Sequence, residues 1–184
     1  MLQGEKVRLR AIEREDIPLW WAFNNDLEVE LAGGGGPPYP QSMARLQAEY
    51  ESDAARGGRD GPRFAIEADG RMIGQCALYS MEPIAHTALI GITIGDKNYW
   101  GQGYGRDAIR VLVDYGFRVL NLHRIWLDVH GRNERARRAY RACGFVEEGR
   151  LRGHVWSNGQ HDDLIYMGLL RSEWEAAQRR DTTS

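Results

Sequence analysis

The feature that most constrains this chain is a glycine-dense run between an apolar segment and an amphipathic one. The apolar residues 88–94 predict a strand, and Ile109, Leu112 and Val113 recur further on at helical spacing. Glycine leaves the backbone accessible, and the amides that open a helix converge on anionic oxygens. The segment therefore predicts a phosphate-binding loop or, without a ligand, a tight turn from strand to helix. The run itself consists of Trp100, Gly101, Gln102, Gly103, Tyr104 and Gly105.

Two nucleotide-binding motifs are excluded by the details of this run. A P-loop needs Lys and then Ser or Thr after its last glycine, whereas Arg106 and Asp107 follow here. A dinucleotide fingerprint needs a different glycine spacing after an early strand, and this run lies in mid-chain. The Arg106 cation is nonetheless placed to assist an anionic ligand.

The remaining pattern predicts one α+β domain with a mixed, mostly antiparallel sheet flanked by helices. We expect a single domain over residues 1–184, with a core of about 7–170 and a C-terminal tail of 171–184. Asp69-Gly70 predicts a hairpin, and residues 33–40, rich in glycine and proline, predict a loop. Predicted strands cover residues 7–10, 64–66, 72–79, 88–94, 124–129, 145–151 and 164–170. Predicted helices open at 13–16, cover 42–56, follow the glycine run and cover 134–143.

Composition excludes several classes of function. The 24 basic and 26 acidic side chains give a net charge of -2, which does not favour nucleic acid or an anionic membrane as main partner. No apolar stretch approaches the ~20 residues of a membrane span, and residues 1–6 lack a signal-peptide pattern. Cys76 and Cys143 lack the spacing of a disulfide framework or a cysteine-rich metal site. A soluble cytoplasmic protein is the expectation.

The run over residues 90–105 resembles the coenzyme A-binding segment of the GNAT acetyltransferase superfamily. The resemblance extends over residues 7–170 and is strongest to the branch of ribosomal-protein N-terminal and spermidine acetyltransferases. Trp100 stands where the superfamily often has Gln or Arg. The related branch often has Trp at this position. The downstream residues that carry the resemblance are His123, Arg124, Ile125, Trp126, Leu127, Asn133, Tyr140, Gly144 and Phe145.

The resemblance implies splayed central strands and acetyl-CoA as cosubstrate, with no metal. The strand around Ile92 and Ile94 would hydrogen-bond the pantetheine arm through its backbone. Asn133 would cap the next helix, bind pantetheine, or do both. The pyrophosphate would be held by the amides of Gln102, Gly103, Tyr104, Gly105 and Arg106.

Tyr140 lies on the apolar stripe of the helix over residues 134–143, where a tyrosine is by default a core residue. The resemblance implies that its hydroxyl protonates the departing thiolate. Phenol and thiol have comparable pKa values of about 10 and about 8.5, so this transfer is chemically reasonable.

The group that deprotonates the amine is not identified by the sequence. An alkyl ammonium has a pKa of about 10, so something must accept its proton. The branch often has an acidic residue where this chain has Leu89. Glu82 and His86 are candidates, although both are readily explained as solvated loop residues, and a water route is equally consistent.

Other charged and aromatic groups have open roles. Asp26, Glu28 and Glu30 could attract a cationic amine such as a polyamine or aminoglycoside, or form a solvated helix end. Trp156 could border the acceptor cleft or a dimer contact. An arginine run could contact the cofactor's 3′-phosphate or an acidic partner, or form a solvated face; it consists of Arg132, Arg135, Arg137, Arg138 and Arg141.

The predicted function is N-acetyl transfer from acetyl-CoA to a primary amine, directly within a ternary complex. Cys143 lies on the apolar helix face, which favours a structural thiol over an acetyl-cysteine intermediate. The acceptor is predicted to be a small cationic amine or a protein N-terminus. The alternative is a non-catalytic coenzyme A-binding sensor or interaction module. The resemblance also predicts a homodimer.

Overall fold

The computed structural model describes residues 2–33, 37–58 and 61–181. Its strands are β1 (Leu2–Gln3), β2 (Arg8–Arg10), β3 (Arg63–Ala68), β4 (Arg71–Glu82), β5 (Thr87–Ile94), β6 (Arg124–His130), β7 (Val146–Ser157) and β8 (Gln160–Leu170). Its helices are α1 (Ile17–Asn24), α2 (Leu27–Gly33), α3 (Met43–Arg56), α4 (Tyr104–Arg118), α5 (Glu134–Arg141) and α6 (Arg171–Asp181). Within these residues no helix is long and apolar enough to cross a membrane.

One mixed sheet organises the described chain, with strand order β1-β2-β3-β4-β5-β6-β8-β7. All neighbouring strands are antiparallel except β5 and β6. The parallel pairing ends at Leu89 and Trp126, although β5 continues to Ile94 and β6 to His130. The two central strands therefore separate, as the α+β prediction with splayed strands requires.

The sheet has a helical layer on each face. Ala65 and Ile66 are adjacent in β3, yet Ala65 packs with Trp20 of α1 while Ile66 joins the larger core with Leu112 of α4. Adjacent strand residues point to opposite faces, so α1 and α3 cover one face and α4 the other. Phe117 and Ile125, both fully buried, lie in the larger core.

Local signals predicted several element ends correctly. Asp69 and Gly70 form a two-residue turn with φ of 51° and 75°, which suits the twist of a hairpin. Ser42 caps α3 by accepting a hydrogen bond from the Arg45 amide, and Gly57 ends that helix in the left-handed conformation.

Other elements differ from the sequence prediction. Helix α2 was not anticipated, and it ends at Gly33, the first residue of the predicted loop; residues 34–36 of that loop lie outside the described residues. β7 and β8 extend almost to their connecting turn. Residues 171–181, assigned to a tail, form α6, because the Trp174 ring packs on Phe117 at a centroid distance of 5.3 Å.

The N-terminal residues are joined to the start of α4 by one buried carboxylate. Asp107 accepts hydrogen bonds from the amides of Glu5, Lys6 and Val7 at 3.2, 2.7 and 3.0 Å. Gly4 is required beside it, because a Cβ there would overlap the Asp107 carboxylate. The edge of the sheet thus positions the helix that follows the glycine run.

Candidate active site

A cavity of about 560 Å³ opens where β5 and β6 separate. Tyr140 of α5 and Ile109 of α4 line it from the face of the larger core. Val29 and Ala32 of α2 also line it. Asp128 lines it as well, although its neighbours in β6 point into the larger core. The cavity therefore joins the two faces of the sheet through the gap between the strands.

The predicted site residues converge on this cavity. All of them except Tyr104 line it: Ile92, Ile94, Gln102, Gly103, Gly105, Arg106, Asn133 and Tyr140. The Tyr104 ring instead packs on Tyr99 at 4.9 Å, with the Lys6 ammonium 5.2 Å from its centre. Its amide still opens α4, so its predicted role, which uses the backbone, is compatible with this position.

The glycine run has the backbone geometry of an anion-binding loop. Gly101 and Gly103 have φ of 74° and 88°, which other residues adopt only with strain, and Gly103 is the N-cap of α4. The first amides of a helix have no partner inside it and carry partial positive charge. Arg106 adds a cation at the cavity wall. This geometry fits the pyrophosphate of coenzyme A.

Trp100 and Arg135 form one wall of the cavity. The Arg135 guanidinium lies 3.7 Å from the centre of the Trp100 ring, and the indole N–H donates to the Ile94 carbonyl at 2.7 Å. Burial lowers the pKa of Arg135, and the charge of Glu28 opposes that shift.

The arginine run divides between the cavity and the surface of the fold. Arg135 and Arg138 line the cavity. Arg137 is buried and pairs with Glu134 and Glu147. Arg132 pairs with Asp162, and Arg141 pairs with Glu147. Only part of the run therefore faces the space where a cofactor phosphate would lie.

Asn133 caps α5 and also holds α2. Its side-chain oxygen accepts from the Ala136 amide at 3.0 Å, as predicted for an N-cap. Its side-chain N–H donates to the carbonyl of Ala32 at 2.6 Å. This second contact brings α2 against the cavity and could not be expected from local sequence.

Tyr140 is buried at the cavity wall, with its ring 5.6 Å from that of Phe145. Burial raises the pKa of its hydroxyl, and the nearby Tyr79, Cys143 and Asp128 raise it further. The hydroxyl therefore stays protonated at neutral pH, which is the state a proton donor needs.

The two candidate bases from the sequence do not line the cavity. Glu82 and His86 are exposed near the turn between β4 and β5, where the Glu82 carboxylate accepts from the Ile84 amide. Leu89 is buried and pairs with Tyr79 and Trp126.

Sequence reasoning missed one charged residue that lines the cavity, Asp128, and one that lies beside the glycine run, Lys6. Lys6 lies next to the glycine run only because the N-terminal residues fold back on α4. Asp128 is the one carboxylate among the described residues that line the cavity. Its sequence signal was a carboxylate among the apolar residues that follow Arg124 in the predicted strand.

Two of the three carboxylates of the acidic cluster, Asp26 and Glu28, share one ion-pair partner. The Lys97 ammonium lies 2.8 Å from the Asp26 carboxylate and 2.9 Å from that of Glu28. The hydrogen bond from Lys97 holds the pKa of Asp26 below its usual range, whereas burial raises the pKa of Glu30.

Trp156, the other candidate for the acceptor side, does not line the cavity. Trp156 is exposed near the β7–β8 turn, with its ring 4.9 Å from that of His161. Among the residues that the structure describes, no group of three or more His, Cys, Asp or Glu side chains is arranged to hold a metal ion.

Comparison with known proteins identifies the fold and the family. Residues 6–146 match the acetyltransferase (GNAT) domain family. A spermidine N(1)-acetyltransferase of Vibrio cholerae is 32% identical over 172 residues, which cover 93% of this chain and 96% of the relative. A candidate ribosomal N-acetyltransferase of Bacillus subtilis, YdaF, is 36% identical over 107 residues, 58% of each chain.

A solved structure extends the match to three dimensions. The crystal structure of spermidine N-acetyltransferase from Vibrio cholerae in complex with CoA and spermine has a TM-score of 0.84 and 31% sequence identity, covering 94% of this chain and 99% of that one. The resemblance and its branch are thereby confirmed. The chain belongs to the GNAT acetyltransferase family and is an acetyl-CoA-dependent N-acetyltransferase.

Proposed function

We propose that this enzyme acetylates a primary amine of a small, polyamine-like cation by direct transfer in a ternary complex. The observation that carries the proposal is the cavity, which joins the predicted cofactor residues to a carboxylate at one gap in the sheet. A carboxylate beside the reaction site suits a cationic acceptor. The Vibrio cholerae relative, solved with CoA and spermine, supports the same acceptor class.

The roles of the cofactor residues follow from their positions. The amides after Gly103 would hold the pyrophosphate, assisted by Arg106, while Ile92 and Ile94 would bind the pantetheine arm through their backbone. Acetyl-CoA, when bound, supplies an acetyl group activated as a thioester. Tyr140 would give its hydroxyl proton to the departing sulfur.

Direct transfer is favoured by the state of the cysteine nearest the site. Burial raises the pKa of the Cys143 thiol to about 11, and its sulfur contacts the Arg106 carbonyl. A thiol that stays protonated is a poor nucleophile, so an acetyl-cysteine intermediate is disfavoured.

A small acceptor is favoured over a protein N-terminus by the position of α2. Val29 and Ala32 line the cavity, and Ala32 is held there by Asn133. A peptide would need an open groove on this side, whereas a slender polyamine would need only the space between the strands.

The first test is thiol release from acetyl-CoA with a panel of polyamines, aminoglycosides, amino acids and peptides. We expect release that depends on polyamines and intersecting initial-velocity lines, the pattern of a ternary complex. Parallel lines would contradict direct transfer, and release with peptides alone would contradict the acceptor class.

Tyr140→Phe tests the proton donor. We expect it to bind acetyl-CoA normally and to lose kcat by about 100-fold, within the range for general acid catalysis. Tyr115→Phe is the matched control, because Tyr115 packs on Phe64 away from the cavity. An unchanged kcat in Tyr140→Phe would rule out the acid role.

Homodimerisation remains a prediction. The edge strand β7 exposes Val146, Leu151 and Trp156, which a second copy of the chain would cover. Sedimentation that shows only monomer at working concentration would refute it.

A further inference from the structure

Five side chains around the strand gap share the face of the sheet opposite the larger core. Tyr79, Leu89 and Trp126 are register partners across β4, β5 and β6, so their side chains point the same way. Asp128 follows Trp126 by two positions and joins them. Tyr166 of β8 is the register partner of Asp128 and completes the set.

Asp128 stands just beyond the last paired position of β5 and β6, where the gap begins. It is half-buried and lines the same cavity as Tyr140. Within the described residues, none donates a hydrogen bond to its carboxylate or forms an ion pair with it. A partly buried carboxylate without a partner costs free energy unless a ligand supplies the partner.

The surroundings of Asp128 are aromatic. Trp126 and Tyr166 stack with their ring centres 6.0 Å apart, and Tyr79 lies over the backbone of Gly91. A Cβ on Gly91 would come within 3.0 Å of the Tyr79 ring, so glycine makes room for that ring. Aromatic faces beside a carboxylate are a favourable environment for an alkyl ammonium.

The ionisable groups that face Asp128 come from β4, β6, β8 and α5. They are His130 on its own strand, Tyr79 on β4, Tyr140 on α5 and Tyr166 on β8. Burial raises the pKa of the Asp128 carboxyl, and a charge on His130 opposes this. A raised pKa makes the carboxylate a better proton acceptor.

We propose that Asp128 accepts the proton of the acceptor ammonium, and that Tyr79, Trp126 and Tyr166 form the surface on which that ammonium is held. The assignment rests on the proposed function, and it identifies the base that the sequence left open. The related branch often has its acidic residue at the position of Leu89 on β5. In this chain the carboxylate lies on β6 instead and points to the same face of the sheet as Leu89.

The proton balance is complete with residues of the chain and water. The acceptor nitrogen begins as an ammonium with three N–H bonds and ends as an amide with one. Asp128 takes the first proton and passes it to water. As the C–N bond forms and the C–S bond breaks, the nitrogen loses its second proton to Asp128, which is ionised again and passes this proton to water as well. The sulfur gains a proton from Tyr140, and Tyr140 regains one from water, so one proton is released overall.

The test uses two diamines with the same carbon chain. In one of them, fluorines beside the amine that is acetylated lower the pKa of that amine, so that it is mostly neutral at the assay pH. A neutral amine needs no base to attack. We therefore expect Asp128→Asn to lower kcat/KM by about 100-fold for the basic diamine and by less than about threefold for the fluorinated one. A purely structural role would lower both equally.

Glu82→Gln is the matched control, since it removes the other candidate carboxylate, and we expect no loss with either diamine. A pH series adds a second readout: wild-type and Asp128→Asn rates with the basic diamine should converge as pH approaches the amine pKa of about 10.

The outcomes separate the two proposals. Equal losses with both diamines, or selective loss in Glu82→Gln, overturn the assignment of Asp128 while leaving the acetyltransferase function in place. A wild-type enzyme that acetylates neither diamine nor any polyamine overturns the proposed acceptor class and the role of Asp128 together.

Discussion

The half of the molecule that would hold the cofactor and the half that would hold the acceptor are built differently. In the cofactor half, Gly103 caps α4 and the buried Asp107 joins that helix to the N-terminal residues through three backbone hydrogen bonds. In the acceptor half, exposed ion pairs from Lys97, one hydrogen bond from Asn133 and the buried side chain of Val29 hold α2 over the cavity.

The difference concerns how strongly each half is fixed. Buried hydrogen bonds to backbone amides are costly to break, whereas exposed ion pairs contribute little to stability. A rigid phosphate site suits a cosubstrate that never changes. A helix whose polar contacts are mostly exposed suits a surface that would distinguish one amine from another.

The largest expected effect comes from breaking the rigid half. Asp107→Ala leaves three backbone N–H groups without their acceptor, and we expect it to lower the free energy of unfolding by about 2–4 kcal/mol. Urea denaturation measures this. Asp53→Ala, which removes a half-exposed ion pair between α3 and Arg63, is the control and should change the stability by less than about 0.5 kcal/mol. A loss as small in Asp107→Ala would mean that its three hydrogen bonds do not hold the cofactor half firmly.

The next effect is on affinity rather than stability. A Cβ on Gly105 would lie 3.5 Å from the Ile94 side chain, which is an ordinary van der Waals distance. The fold therefore tolerates a side chain at this position, which lines the cavity. We expect Gly105→Val to weaken acetyl-CoA binding by about 10–100-fold, or about 1.4–2.8 kcal/mol, with a small change in the urea midpoint. Calorimetric titration measures the affinity. Gly149→Val in β7, where a Cβ meets nothing within 4 Å, should bind normally.

A third prediction sharpens the comparison through pH. Burial raises the pKa of Asp128 above its ordinary value of about 3.9. At higher pH the ionised carboxylate therefore opposes folding. Well below pH ~3.9 the carboxyl is protonated in both the folded and the unfolded chain, so the effect disappears. We expect Asp128→Asn to have a higher urea midpoint than wild type at about pH 8 and the same midpoint near pH 3. A lower midpoint at the higher pH would show that the carboxylate is stabilised by a partner.

The smallest effect concerns α2. Lys97→Ala frees Asp26 and Glu28, and we expect it to leave the urea midpoint unchanged. The freed carboxylates should lower the KM for a polyamine by about twofold at low salt, and the difference should vanish at high ionic strength. Arg14→Ala, which removes an exposed ion pair with Glu51, is the control. A large loss of stability in Lys97→Ala would show that α2 is as firmly held as α4.

The same division explains how much the sequence could predict. The hairpin at Asp69-Gly70, the Asn133 cap and the glycine run depend on residues close together in the chain. Their conformational preferences act locally, so the pattern predicted them.

The residues that sequence reasoning missed depend on distant contacts. Asp128 reaches the cavity because β6 leaves β5 after Trp126, and no neighbour of Asp128 in sequence signals that separation. Ala32 lines the site because Asn133, 101 residues away, holds it there. α6 forms where Trp174 finds Phe117. Such contacts are decided by packing between elements.

The hydrogen bonds of Asp107 also constrain the order in which a nascent chain can acquire its structure. Val7 leaves the ribosome 100 residues before the carboxylate that its amide will bind. At translation rates of about 5–20 residues per second, the wait is roughly 5–20 s. Residues 5–7 are therefore without these partners during that time, and the contact between the sheet edge and the start of α4 forms only after Asp107 has emerged.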